Sequence, residues 1–358
     1  MTPNASLLIA ADDLPVTIAV AADADAADWD RYVASRRDAS QYHLWQWRGV
    51  FERAFRHETQ YLMARCDGRV VGILPTVLFR SLLFGRFMVS LPFVNYGGVV
   101  ADDCAIADAL LAEAAAIARR ERLDHLELRH TAQQFAQLPS KQHKVSMLLT
   151  LESSTERAWE TLDRKVRNQV RKAEKSGLSA AEGGIECLDE FYAIFCRNMR
   201  DLGTPVYSRA FFHEVLTAFP DRARIIVVRH GQTPVAAGIV LDGGRGVVEV
   251  PWASSLSEYR TMCPNHSLYW FVVQWAIQHG CRVLDFGRST PDEGTFHFKQ
   301  QWGAEPMALY WEYSLQNGAR MPDQSPKNPK FKAAIDLWKR CPVWLTNAIG
   351  PHIVRSIP

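Results

Sequence analysis

The chain of 358 residues lacks most of the patterns that identify common chemistries. Its seven cysteines, at 66, 104, 187, 196, 263, 281 and 341, form no CxxC pair. An odd count without motif spacing predicts reduced thiols, mostly small buried hydrophobes, in a cytoplasmic protein. The eleven histidines make no HExxH or related ligand pair, so no structural or catalytic metal is expected. A GxxxxGK phosphate loop is missing, which argues against a nucleotide triphosphatase. No run approaches ~18 uninterrupted apolar residues, so no membrane span is expected. Near the amino terminus the longest apolar run, Leu7 to Ala11, is too short for a secretory core and has no basic residues before it. Charge of one sign is also lacking: 41 basic and 39 acidic residues leave a net +2. Contact with a polyanion must then come from local clustering rather than a global field, and no DNA partner is expected.

What is present is an ordinary globular composition, 47% hydrophobic and 22% charged, at a length suited to two domains. The elements alternate as a mixed α/β chain. Helices are expected at Trp29 to Arg36, Leu44 to Arg56, Cys104 to Arg122, Thr155 to Lys175, Leu188 to Leu202, Arg209 to Phe219 and His266 to His279. Strands are expected between them, including a hairpin around Asp67-Gly68, a turn at Leu83 to Gly85, and a strand at Lys144 to Leu151 closing the first half. The halves share a grammar. "VSLPFVNYGG" and "VEVPWASS" each end a strand in apolar-Pro-aromatic, and 37 residues separate both Pro92 from Arg129 and Pro251 from Arg288. The 159-residue offset is domain-sized and reads as a duplication; two unrelated units with chance spacing is the alternative. The expected domains are 1–151, 152–316 and a tail, 317–358, with an amphipathic helix.

Five segments can carry chemistry or a contact. In Thr155 to Lys175, Trp159, Leu162, Val166, Val170 and Ala173 mark a buried helical face. Between Thr161 and Lys175 lie six basic residues, Arg164, Lys165, Arg167, Arg171, Lys172 and Lys175, against two acids, with Asn168 among them. Such a stripe suits phosphates, each cation neutralising one and releasing a counterion; a solvated charged face is the plain alternative. In "DFGRSTPDEGTFHFKQQWGA" a strand delivers Asp285 and Arg288 to its carboxyl end, and Lys299 follows Phe298 and precedes Trp302. A lysine set among aromatics can meet a phosphate or a developing oxyanion; an aromatic-filled surface hairpin is the alternative. Asn265 can cap the helix that starts beside Pro264, and Trp252 precedes it. The segment "RNMRDLGTPVYSRAFF" places Arg197, Asn198, Arg200 and Tyr207 where they can wall an acceptor pocket or merely cap and pack. The tail mixes Phe331, Leu337, Trp338 and Trp344 with Lys330, Lys332, Lys339 and Arg340, which fits either peripheral membrane contact or packing onto the body.

These motifs, "KVRNQVRKAEKSGL", "NMRDLGTPVY", "VEVPWASS", "LDFGRSTPDEGTFHFKQQWGA" and "SLPFVNYGG", resemble the FemAB-related proteins found alongside bacterial exosortase (PEP-CTERM) systems. The resemblance runs from about Gln41 to Tyr313 and into the tail. It implies an α/β (α+β) fold of tandem GNAT-like domains and an acyltransferase acting on an amine of a cell-envelope or exopolysaccharide precursor. It implies no tightly held cofactor; the acyl donor is a co-substrate, with aminoacyl-tRNA favoured and acyl-CoA or an acyl carrier protein the alternative. By position it assigns donor handling to Arg164 through Lys175 and to Phe298-Lys299. Lys299 is then expected at a donor phosphate or the oxyanion, with Asp285 and Arg288 orienting the site. A GNAT domain that uses coenzyme A has a glycine-bearing loop at the start of its central helix, whereas residues 256–266 contain no glycine. A double-GNAT protein that binds a partner without catalysis is the reading of a different class.

Overall fold

A computed structural model describes residues 9–11, 14–81, 84–316, 318–322 and 329–357. The expected turn at Leu83, part of the Leu7 to Ala11 run and the side chains of Lys330 and Phe331 lie outside the described residues. The chain forms two units: Met1–Gln142 with Leu309–Pro322 and Ser356–Pro358, and His143–Ala308 with Asp323–Arg355.

The first unit is built on one sheet, in the order Ile9–Ala11, Leu14–Val20, Glu58–Cys66, Arg69–Ser81, Gly85–Val89, His125–His130, Tyr310–Leu315 and Ser140–Lys141. All neighbours are antiparallel except Gly85–Val89 and His125–His130, which run parallel with Phe87 opposite His125. Helix Cys104–Arg120 makes that crossover. The Asp103 carboxylate caps it by accepting from the Ile106 amide at 2.8 Å, and Ile106, Leu110, Ala114 and Ile117 are buried on the sheet. The Asp67-Gly68 hairpin takes left-handed φ at both positions, 49° and 75°, as a type I′ turn requires.

The second unit repeats the plan in the order Leu178–Gly183, Ala223–His230, Thr233–Gly244, Val247–Ser255, Val283–Ser289, Val145–Thr150 and Glu305–Ala308. Again one neighbouring pair is parallel, Val247–Ser255 with Val283–Ser289, joined by helix Pro264–Gln278. The paired residues are 38 apart in the first unit (Phe87, His125) and 36 apart in the second (Val247, Val283). The shared 37-residue spacing in sequence thus reflects the same strand–helix–strand crossover in both halves.

Three expectations change. The strand expected to close the first half, Val145–Thr150, pairs with Val283–Ser289 and Glu305–Ala308 in the second sheet. Conversely, Tyr310–Leu315 returns to pair with His125–His130 in the first sheet, so the units divide at 142/143 and 308/309 rather than at 151 and 316. The helix read as continuous over Thr155 to Lys175 breaks at Leu162. Asp163 starts a second helix, Arg164–Lys175, its carboxylate accepting from the Lys165 amide at 2.6 Å. The tail forms two helices, Pro329–Arg340 and Val343–Val354. They pack on helix Leu188–Leu202 of the second unit, where Arg200 donates to the Cys341 carbonyl at 3.0 Å.

The returning strand also supplies a buried acid. Glu312 is fully buried, accepts from the Gln134 and Phe135 amides at 3.2 and 2.7 Å, and lies 2.6 Å from His130 Nδ1. His130 Nε2 accepts from the Val99 amide at 3.0 Å, so Nδ1 carries the proton that reaches Glu312. Replacing Glu312 by Ala strands two amides and an imidazole N–H inside the first unit. The expected loss is about 3 kcal/mol, read from the urea midpoint of that unit; a loss under about 1 kcal/mol contradicts this role.

Candidate active site

The second unit's parallel strands stay in register only as far as Glu249 opposite Asp285, although they run on to Ser255 and Ser289. Where they part, both carboxylates are fully buried on the sheet face opposite Val248, Leu284 and Phe286. Asp285 Oδ1 accepts from Ser146 Oγ at 2.5 Å and from the Gly287 amide at 2.8 Å. Two buried acids side by side need cationic compensation. The next residues supply it.

Strand Val283–Ser289 carries one extra residue against Val145–Thr150 between Asp285 and Arg288, and Gly287 there adopts φ 76°. A side chain at that φ is strained, so glycine permits the bulge that turns main-chain carbonyls away from the ladder. Lys299, on the last turn of helix Gly294–Gln300, donates to the Gly287 and Arg288 carbonyls at 2.8 and 3.0 Å. The segment expected as a turn-rich loop thus contains a short helix that aims the lysine. Lys299 is 7% exposed, and burial lowers its pKa to about 8, against the pull of Asp285 and Glu249. Near neutrality it holds its charge but releases a proton far more readily than a surface lysine. Asp285, Arg288 and Lys299 therefore converge, and Glu249 and Ser146 join them. Both additions escaped the sequence reading: "VVEVP" shows only one acid in an apolar strand, and Ser146 lies beyond the expected domain boundary.

The aromatic candidates divide. Phe298 is half-buried with its ring centroid 5.2 Å from His266 and 5.4 Å from Tyr269, and Trp302 is buried beneath them. Trp252 is 5% exposed, edge-on to Phe211 and Phe212 at 5.2 and 5.5 Å, which makes it core rather than pocket wall. Tyr207, half-buried, joins that cluster, and its carbonyl accepts from Tyr192. Asn198 donates to Ser254 at 3.0 Å, so the helix Leu188–Leu202 covers this strand end. Asn265 does not cap the central helix: Pro264 begins it and Cys263, at φ 61°, occupies the cap position, with Asn265 inside the first turn.

Helix Arg164–Lys175 buries Val166, Val170 and Ala173 against the central helix and exposes Arg164, Lys165, Asn168, Arg171, Lys172 and Lys175. Arg167 is half-buried and Arg171 lies over the Trp159 ring at 5.3 Å. The stripe approaches the acid–lysine cluster through aromatic neighbours. Burial, helped by the charge of Lys165, lowers the His266 pKa to about 4, and His266 meets Phe298, the residue before Lys299. At the start of the central helix the Cys263 thiol donates to Gln169 Oε1 at 2.6 Å, so side chains occupy the place of a glycine loop. Among the described residues no cluster of His, Cys, Asp and Glu is arranged to hold a metal ion.

The corresponding joint of the first unit is closed. Val89 lies opposite Glu127, but Arg129 donates to Glu127 at 2.7 Å and stacks over Trp311 at 4.2 Å. Beyond Val89, Ser90 donates to the Glu127 carbonyl and Gly97 to that of Arg129, filling the gap with loop backbone.

Residues 162–300 match the family model described as an acetyltransferase (GNAT) domain. The chain is similar in structure to FemX, with TM-score 0.63 and 15% identity over 80% of this chain and 95% of that one. It is similar to the C-terminal domain of a putative lysylphosphatidylglycerol synthetase from Agrobacterium fabrum, with TM-score 0.54, 13% identity, 82% and 93% coverage. It is also similar to a tandem GNAT protein from the clavulanic acid biosynthesis pathway, with TM-score 0.52, 13% identity, 86% and 100% coverage. No curated protein sequence matches the chain. Residues 162–300 thus carry a GNAT-type acetyltransferase domain, in a chain whose fold is similar to that of FemX and of the tandem GNAT protein, and the matched segment spans the basic helix, Glu249, Asp285 and Lys299.

The depressed pKa of Lys299 has a stability signature. The folded chain releases this proton near pH 8 and the unfolded chain near the ordinary 10.5, so the unfolded state binds more protons between them. Relative to Lys299→Met, the wild type should gain stability as pH rises through that window, by a total on the order of 3 kcal/mol. Urea midpoints across the window measure it, and parallel curves contradict the assignment.

Proposed function

We propose that the second unit transfers an aminoacyl group from aminoacyl-tRNA to an amine of a cell-envelope or exopolysaccharide precursor. The observation that carries this reading is a buried acid–lysine cluster at the parting of two parallel strands, joined by Phe298 and His266 to an exposed basic helix. The helix meets the donor's phosphates through Arg164, Lys165, Arg171 and Lys172, and the reactive ester extends toward Lys299. There the acceptor amine attacks the ester carbonyl. A C–N bond forms, the ester C–O bond breaks, the amine proton passes to a carboxylate of the Glu249–Asp285 pair, and that carboxylic acid returns the proton to the leaving ribose oxygen. Within the pair we assign the proton to Glu249, leaving Asp285 to hold the Ser146 hydroxyl and the Gly287 amide. Lys299, holding two main-chain carbonyls, directs its remaining N–H toward the oxyanion. Fixing ester and amine in line supplies much of the acceleration.

The second reading, an acyl-CoA or acyl-carrier-protein donor, draws support from the acetyltransferase model. Against it stands the glycine-free entry to the central helix, where Cys263 and Gln169 take the room of a pyrophosphate cradle. Calorimetric titration with coenzyme A separates the two, micromolar binding favouring this second donor.

Filter binding of charged and deacylated tRNA at two salt concentrations tests the donor. Retention should favour the charged pool and fall with salt, and Arg164→Ala or Lys165→Ala should each reduce the salt slope by about one. No retention at low salt overturns the tRNA assignment. Lys299→Ala should lower turnover about 100-fold or more while leaving the fold intact, and normal turnover in that variant removes Lys299 from the mechanism.

A further inference from the structure

The paired tail helices carry a surface that the transfer chemistry does not use. Helix Val343–Val354 buries Thr346, Gly350 and Val354, residues four apart that define one stripe. Gly350 is pressed against the backbone of Val206, where an added Cβ would lie 3.0 Å from the Val206 nitrogen. Away from that stripe the helix presents Trp344, 70% exposed, and Ile349, 42% exposed. The preceding helix, Pro329–Arg340, presents Leu337, 66% exposed, with Arg340 one turn along the same face. Lys332, Lys339 and Arg340 are all exposed, with Asp336 the acid among them. Among the described residues Trp344 and Leu337 are the most exposed large apolar side chains.

We propose that this helical pair is a peripheral docking surface for an anionic lipid bilayer. The argument is charge complementarity. Exposed Lys339 and Arg340 follow exposed Leu337 along one helix and precede exposed Trp344 at the start of the next, the combination by which an amphipathic element inserts apolar groups at the headgroup boundary while its cations meet anionic lipid. A tryptophan at the rim is suited to that depth, its ring amphipathic and its N–H free to meet the polar layer. Among the described residues no helix is long and apolar enough to cross a membrane, so the element lies on the surface. The carbonyl of Cys341, held by Arg200, fixes the bend between the helices.

The test is co-sedimentation of the purified full chain with vesicles of phosphatidylcholine containing about one third phosphatidylglycerol, and with phosphatidylcholine alone. No acyl donor is present, so the result is independent of the proposed transfer reaction. Binding is expected to the anionic vesicles and to weaken with salt. Trp344→Glu and Leu337→Glu should each abolish most of it, and Lys339→Ala or Arg340→Ala should each weaken it about fivefold. Because these side chains are exposed, thermal melting of the variants should match the wild type. Absence of binding to anionic vesicles overturns the proposal, as does binding unaffected by Trp344→Glu. A dimer by light scattering that Trp344→Glu dissolves also overturns it, assigning the face to a second copy of the chain.

Discussion

Two parallel strands that part after Glu249 and Asp285 set the terms for the rest of the second unit. Parallel neighbours need a crossover, so the central helix Pro264–Gln278 must lie on the sheet between them. Where pairing stops, backbone groups become available to a ligand, and the two acids at that point must be compensated. Gly287 makes the compensation geometrically open by letting the strand bulge. Lys299 then reaches the turned carbonyls from the following short helix and stands close enough to both carboxylates for them to oppose the burial that lowers its pKa. Remove the bulge and the lysine has no carbonyls to hold; remove the lysine and the acids lose the charge of its ammonium group.

The same joint recurs in the first unit and is solved differently. Arg129 takes the place of the mobile proton donor: its guanidinium binds Glu127 and stacks on Trp311, and it is fully buried. An arginine cannot deprotonate in this setting, whereas a buried lysine with a pKa of about 8 can exchange its proton. The loop through Ser90 and Gly97 then fills the gap between the strands. The two units thus differ at this joint: loop backbone fills it in the first, and in the second the strands part beside a buried lysine.

Much of this was legible in the sequence where local signals are strong. Leu188–Leu202 begins and ends as its periodicity predicts, with Gly203 in the left-handed conformation just beyond. Asp285, Arg288 and Lys299 were recognisable as one motif. The strands Leu178–Gly183, Glu305–Ala308 and Tyr310–Leu315 were not, because they are short and earn their conformation from pairing with distant partners. Val145–Thr150 reads as a strand from its own residues, but nothing local says which sheet accepts it. Glu249 was invisible as a site residue because a lone acid in a strand ordinarily faces water; only the register with Asp285 buries it. Asn265 erred the other way: its place beside Pro264 suggested a cap, and Cys263 holds that position, while Trp252 packs edge-on to Phe211 and Phe212.

We assign the chemistry to the joint of the second unit alone, where the strands part after Glu249 and Asp285. The most direct test of this assignment compares single-turnover transfer of a labelled aminoacyl group to an amine acceptor by Glu249→Gln and by Glu127→Gln, each folded protein measured beside the wild type. The account predicts that Glu249→Gln loses most transfer, about 100-fold or more for removing the proton acceptor, while Glu127→Gln retains it. Transfer that survives in Glu249→Gln and fails in Glu127→Gln would place the reaction in the other unit and contradict the account.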